Sequence, residues 1–367
     1  MTRQSQETLH YPKTLLIGIE APYNTTKDIE SYFEEFKNLA KTNGVIFEEF
    51  IPIKIREIDS STFITKGKLE QIHKIVQEKN VEQVLVSDPL TSKQERNLSD
   101  YLNCKVFDRT QLILEIFEKA AHTSEGKLQV EIAMMHYMKS RVAGKGIELS
   151  QQLGIIGTRG PGETAKEKAL RTLELKIHNL KKRLEKSHKA RETQRKQRLS
   201  SQIPQICLIG YTNAGKSTIL NILTKSDVIA EDKLFSTLDT TTRELYINKK
   251  KIGLISDTVG FIQQLPHQLI EAFKSTLSEL KYADLLLHVV DVSDKNWESH
   301  IRVVHEILEE LKIDTPMLYV FNKADKVDNL EDLENKIKRF QPNIIVSAKS
   351  KKGIEPLIDY IESWKLT

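Results

Sequence analysis

The sequence predicts an α/β protein in three parts, and three observations carry that expectation. Apolar runs of strand length alternate with helix-length stretches in residues 1–108 and again in 201–367. A glycine-rich segment, Gly210-Tyr211-Thr212-Asn213-Ala214-Gly215-Lys216-Ser217, stands between a buried-strand run and a helical run. Between the two α/β regions, residues 109–200 hold helical stretches with a narrow apolar seam. A length of 367 residues allows two or three domains with ample core.

In residues 1–108, segments 13–19, 45–51 and 81–87 read as strands, with helical stretches at about 27–41 and 68–79 between them. Lys66-Gly67-Lys68 resembles a fragment of a phosphate loop but lacks the full spacing.

Residues 162–200 carry thirteen Lys/Arg against five Asp/Glu, and Leu170, Leu173, Ile177, Leu180 and Leu184 recur three and four apart. That pattern predicts a long helix whose seam suits one partner helix. The partner is expected at about 126–142, where Leu128, Ile132, Met135 and Val142 are similarly spaced, which gives a long antiparallel helical arm. Residues 186–200 lose the stripe and read as a charged lever or linker. The tip, residues 140–163, has six glycines, one proline and three basic side chains. Glycine permits close backbone approach and the basic groups can bind phosphate, so Arg141, Lys145, Arg159, Gly160 and Gly162 are candidate RNA contacts. The plainer reading is a solvated basic helix for 162–200 and a disordered loop for the tip.

In 201–367, Gly210 and Gly215 let the backbone curl so that successive N–H groups face phosphate oxygens. Lys216 then places a charge between the β- and γ-phosphates, and Ser217 offers a hydroxyl to Mg²⁺. Asp257-Thr258-Val259-Gly260 follows the strand run 252–256. Asp257 is expected to hold the Mg²⁺ shell through water, and the Gly260 amide to meet the γ-phosphate. A second switch is expected at Phe235-Ser236-Thr237-Leu238-Asp239, where a threonine hydroxyl completes the Mg²⁺ ligands. Composition leaves Thr237, Thr240, Thr241 and Thr242 open for that role.

Asn322-Lys323-Ala324-Asp325 follows the strand run 317–321, at the end of the sheet where such folds bind ligands. Asp325 can accept two hydrogen bonds from guanine N1–H and N2–H₂, a pair that adenine does not offer. Lys323 would lie along the base plane and Asn322 would tie this loop to the phosphate loop. Ser347-Ala348-Lys349, after the run 344–346, would supply backbone contacts to the guanine oxygen. The four motifs together predict a P-loop GTPase (G) domain that binds GTP and GDP, with Lys216, Asn213 and Gly260 as catalytic candidates.

One absence matters. Phe261 stands directly after Gly260, where Ras-like enzymes place a water-orienting glutamine, so slow intrinsic hydrolysis is expected. Asn213 is a candidate helper, since an asparagine at this place in several bacterial GTPases ligates a K⁺ that stands in for an arginine finger. Its plainer role is a loop residue bonding its own backbone.

Composition points to a cytoplasmic protein. Cys104 and Cys207 form no spacing motif, which excludes a disulfide framework or zinc site by pattern. The N-terminus is polar, without the apolar stretch of a signal peptide. Apolar runs such as 285–290 are far below a membrane span. The net charge of +4 says little by itself, and a monomer is expected.

Outside the GTPase motifs, several segments carry a family resemblance. They are Thr65-Lys-Gly-Lys-Leu69, the run at 107–117, the run at 125–132 and Gly157-Thr-Arg-Gly-Pro-Gly-Glu-Thr164. With them the chain resembles the HflX family of the Obg–HflX group, almost end to end. The resemblance implies a GTP-dependent factor that binds the large ribosomal subunit. In that family the arm reaches rRNA near the peptidyl-transferase centre, and stalled or idle 70S ribosomes are split, notably under stress. It also selects Thr237 as the switch ligand to Mg²⁺.

The chain departs from the family pattern at residues 165–171, which are more basic and apolar than usual, and at Thr240, where proline is frequent. An extension that some relatives carry after the last G-domain helix is expected to be missing. Two other readings stay open: a GTPase assisting an RNA-modifying or ribosome-assembly partner, and an RNA-binding or remodelling protein with a regulatory nucleotide.

Overall fold

Six successive buried residues begin the strand Thr14–Glu20 (β1), a pattern that belongs inside a parallel sheet covered on both faces. The computed structural model places it there. It describes residues 12–23, 28–144, 165–200, 203–224, 234–235, 241–266, 269, 273 and 277–364. The chain divides into two units, Met1–Ile116 with His136–Leu175, and Phe117–Met135 with Lys176–Thr367.

In the first unit β1 is followed by α1 (Ile29–Thr42), β2 (Phe47–Lys54), α2 (Lys66–Lys79), β3 (Gln83–Val86), α3 (Ser92–Leu102) and β4 (Lys105–Asp108). The strands form a parallel sheet in the order β2-β1-β3-β4. Local chemistry sets the helix starts. Asp28 accepts from the backbone N–H groups of Glu30 and Ser31, and Thr91 with Gln94 forms a reciprocal capping box. The sequence reading lacked β4 and α3, because four-residue strands and a helix this polar give weak periodicity. Lys66-Gly67-Lys68 is the first turn of α2, and open space surrounds Gly67, so the likeness to a phosphate loop is not realised.

Three helices follow: α4 (Arg109–Ala120), α5 (Ser124–Gly144) and α6 (Ala165–Ser200). Leu128 and Ile132 of α5 pack with Leu180 of α6, and Met135 and Leu184 lie against them. Lys139 and Glu174 form an ion pair at 2.8 Å between the same two helices.

Arg141 requires a correction. It is buried rather than presented at a tip, and pairs with Asp108 and with Glu95 at 3.1 Å. It also donates to the Leu90 carbonyl at 2.6 Å and lies over the Tyr137 ring. A guanidinium so enclosed is a structural ion-pair partner and not an RNA contact.

The second unit is built on a six-stranded sheet. It contains β5 (Gln205–Gly210), α7 (Lys216–Thr224), β6 (Thr241–Ile247), β7 (Lys250–Asp257), β8 (Leu285–Asp291), α8 (Trp297–Glu310), β9 (Met317–Asn322), α9 (Leu330–Ile337), β10 (Asn343–Ile345) and α10 (Glu355–Ser363). The order is β10-β9-β8-β5-β7-β6, parallel except for the β6–β7 hairpin. One side of the sheet packs Leu208, Leu287, Val289 and Val320 against Ile219 and Leu220 of α7 and Leu357 of α10. Because β5, β7, β8 and β9 run parallel, Gly210, Asp257, Asp291 and Asn322 all emerge at one edge. That edge is where the sequence motifs converge.

Candidate functional site: a nucleotide pocket at the strand ends

The P-loop begins as β5 ends. Gly215 has φ +96, and a Cβ there would collide with the Asn322 side-chain nitrogen, so only glycine fits. Asn213 also sits in the left-handed region, at φ +58, which asparagine tolerates better than most residues, and it is exposed. Ala214 is buried, and its carbonyl accepts from Asn322 Nδ2 at 2.8 Å.

Lys216 opens α7 and is almost wholly buried. Its Nζ donates to the carbonyls of Tyr211 at 2.8 Å and Gly210 at 3.1 Å. Burial pulls its ammonium down to about 8, while the Asp257 carboxylate pushes the other way. Ser217 Oγ donates to Asp257 Oδ2 at 2.6 Å, and both side chains are buried.

The segment after β7 is bound to the P-loop. Thr258 Oγ1 donates to the Leu208 carbonyl at 2.7 Å, and Val259 is buried. Thr212 N–H donates to the Phe261 carbonyl at 2.8 Å, and Phe261 N–H donates to the Gly210 carbonyl at 3.2 Å. The Tyr211 phenol oxygen accepts from Gln263 N–H at 2.8 Å, while its ring stacks on His300 with centroids 3.8 Å apart. Gly260 is held so close that an added Cβ would stand 2.8 Å from Thr212 Cγ2 and 3.0 Å from Lys216 Nζ.

The base-reading side is equally connected. Asn322 is buried, and besides its bond to Ala214 it accepts from Ala348 N–H at 2.9 Å. Ala324 N–H donates to the Val346 carbonyl at 3.3 Å. Asp325 is exposed. Its Oδ1 accepts from Ser347 Oγ at 2.6 Å and Lys349 approaches Oδ2 at 4.0 Å. The serine bond foremost holds its carboxyl below the usual carboxylate range. Lys323, at φ +65, pairs with Asp291 at 2.6 Å.

The structure thus gathers residues 210–217, 257–260, 322–325 and 347–349 at one sheet edge. Phe235 is buried, and the Phe117 ring meets the rings of Phe235 and Phe273 edge-on, with centroids 4.5 and 5.3 Å away. Its contribution here is packing. Ser236, Thr237, Leu238 and Asp239 lie outside the described residues, as do Lys145, Arg159, Gly160 and Gly162.

Sequence reasoning missed Asp291 and His300. The position of Asp291 at the end of the apolar run 285–290 was a usable signal, since the neighbouring strands also end in site residues. His300 carried none, because its partnership with Tyr211 exists only in three dimensions.

Residues 30–118 match the family described as "GTP-binding GTPase N-terminal", 120–198 the "GTP-binding GTPase Middle Region", and 205–323 the "50S ribosome-binding GTPase". "GTPase HflX" of Caldanaerobacter subterraneus subsp. tengcongensis is 45% identical over 334 residues, 91% of this chain and 77% of the relative. The chain belongs to the HflX family of GTPases. "GTPase HflX" of Escherichia coli strain K12 is 40% identical over 340 residues, 91% of this chain and 79% of that one. A crystal structure of SsGBP with GDP superposes with a TM-score of 0.52 at 25% identity, covering 95% of this chain and 97% of that one.

This HflX-family chain is accordingly a GTP-hydrolysing enzyme. The family implies Mg²⁺, and the donor set fits it: a hydroxyl and a carboxylate, both hard oxygen ligands, lie side by side in Ser217 and Asp257. When bound, the ion neutralises phosphate charge. Among the described residues no helix is long and apolar enough to cross a membrane.

Proposed function

We propose that this chain is a cytoplasmic GTP-driven switch that acts, as a monomer, on the large ribosomal subunit. The observation that carries the reading is the gathering of residues 210–217, 257–260, 322–325 and 347–349 at one sheet edge, together with the match of residues 205–323 to a 50S ribosome-binding GTPase family. Residues 1–108, 109–200 and 201–367 serve as an N-terminal α/β domain, a helical arm and the G domain.

In the proposed cycle, Lys216 and the P-loop amides bind GTP, and Asp325 selects guanine. Ser217, Thr237 and Asp257 hold Mg²⁺, and Asn213 holds K⁺. GTP orders the segments around Thr237 and Gly260 into a ribosome-competent form. The arm tip, through Lys145, Arg159, Gly160 and Gly162, meets rRNA near the peptidyl-transferase centre and disfavours joining of the subunits. Ribosomal contact accelerates hydrolysis, and the GDP form leaves. The packing of Leu128 and Ile132 with Leu180 supports a rigid arm, since it fixes α5 against α6.

The test is co-sedimentation with 70S ribosomes and separated subunits, with a non-hydrolysable GTP analogue against GDP. Pelleting with the large subunit only in the GTP form, with loss of 70S particles, supports the reading. Ribosome binding that ignores the nucleotide, or no binding, would move the RNA-modification partner to the front.

A further inference from the structure

Water must be aimed at the γ-phosphate for a GTPase to work, and the residue after Gly260 cannot do it. Phe261 is buried, and its backbone is bonded to Gly210 and Thr212. The phenyl ring has no group to hold a water.

We propose that the Thr212 hydroxyl orients the attacking water against the γ-phosphate of GTP, the task that Phe261 cannot perform. Thr212 is 7% exposed, yet its Oγ1 has no hydrogen-bond partner among the described residues. A hydroxyl withdrawn from water is normally paired, and an unpaired one in a native site calls for a ligand to complete it. Its neighbours identify the ligand. The Thr212 methyl and the Lys216 ammonium both lie against Gly260, since a Cβ built there would be 2.8 Å from Thr212 Cγ2 and 3.0 Å from Lys216 Nζ, and the hydroxyl shares the Cβ that carries that methyl. Lys216 and Gly260 are the two groups of this fold that address the γ-phosphate. The backbone bonds of Phe261 to the P-loop, and the bond from Gln263 N–H to the Tyr211 phenol, keep Gly260 at that point. Asn213, the neighbouring polar side chain of the P-loop, is exposed.

A hydroxyl can accept one hydrogen bond and donate another. Thr212 Oγ1 accepts a hydrogen bond from the water and donates one to a γ-phosphate oxygen, which fixes the water in line. The water oxygen forms its bond to phosphorus as the bond from phosphorus to the β,γ-bridging oxygen breaks, and that electron pair stays on GDP. One water proton passes to a γ-phosphate oxygen, the other remains as the product's hydroxyl, and Thr212 ends unchanged.

The test compares Thr212→Val, which keeps the branched shape without the hydroxyl, with Thr212→Ser, which keeps the hydroxyl. Single-turnover hydrolysis at saturating GTP and Mg²⁺ is read beside the affinities for GDP and a non-hydrolysable GTP analogue. Formation of the GDP–aluminium fluoride complex is read as well. The valine variant is expected to lose about tenfold or more in rate and to lose the fluoride complex, with affinities within about threefold of the unaltered protein. Serine is expected to retain most of the rate. Valine hydrolysis within about twofold of the unaltered protein overturns the proposal, as does serine as slow as valine. If valine also weakens nucleotide binding, Thr212→Ala decides by the same criterion. Equal losses of affinity and rate in both would assign Thr212 to ground-state binding instead.

Discussion

Asn322 donates from its side-chain nitrogen to the Ala214 carbonyl at 2.8 Å, so that the base-reading loop and the phosphate loop are one hydrogen-bonded body. The same amide accepts from Ala348 N–H at 2.9 Å, which brings in the third loop. One buried side chain thus fixes the spacing of groups that must meet both ends of a nucleotide.

Asn322→Ala leaves the buried Ala214 carbonyl and the half-buried Ala348 N–H without their partner, at a cost of about 1–3 kcal/mol for the buried group and less for the other. GTP and GDP should both bind at least about tenfold more weakly, with no change in their ratio. Fluorescent nucleotide titration with a thermal melt checks this; unchanged affinity would show that the loops hold their spacing without the amide.

Asp325→Asn replaces one acceptor oxygen with a donor that faces guanine N1–H. Discrimination between GTP and ATP should shrink, mainly through weaker GTP binding. Competition binding of the four ribonucleoside triphosphates reads the result, and an intact preference for GTP would remove Asp325 from base recognition.

Lys216 gives a pH signature. Burial pulls it from its ordinary 10.5 to about 8, and a bound polyphosphate restores the charged form. Above pH 8 the free protein must therefore take up a proton as nucleotide binds, and affinity should fall as pH rises from there. The linkage to folding has the opposite sign. Between about 8 and 10.5 the unfolded chain holds this proton and the nucleotide-free native chain does not, so this group's contribution to stability rises with pH. Calorimetry at about pH 9 in buffers of different ionisation enthalpy counts the proton; zero uptake would mean that Lys216 is charged before nucleotide arrives.

Arg141→Met should destabilise the first unit by about 3–5 kcal/mol, because Asp108 and Glu95 keep their buried charges without a counter-charge. Urea unfolding measures that loss. The fraction that remains folded should bind ribosomes as before, whereas a folded variant that fails to bind would return Arg141 to the RNA surface.

Much of the α/β fold was legible because strands covered on both faces read as unbroken apolar runs, as in 13–19, 317–321 and 285–290. The motif loops were legible because phosphate and guanine chemistry dictate residue types at short spacing. What stayed hidden depends on partners far apart in sequence. Arg141 looked like a cation beside a glycine-rich tip, and nothing nearby announces that Asp108 and Glu95 enclose it. Thr212 read as one nucleotide-binding residue of the P-loop segment, and its unpaired hydroxyl became visible only once Phe261 and Gly260 were placed against it. Phe235 read as the start of a switch, while its ring is committed to packing.

That packing bears on how the enzyme can be dissected. Phe117 in α4 stands well before residues 201–367 in sequence, and its ring meets Phe235, which precedes β6, and Phe273, which lies between β7 and β8. A protein trimmed to 201–367 would uncover both rings and sacrifice the edge-on contacts that join them, worth about 0.5–1.5 kcal/mol each beyond the apolar area. The trimmed enzyme would retain every motif that names it a GTPase. Its turnover would nevertheless describe a different molecule, with two phenyl rings facing water where a third belongs.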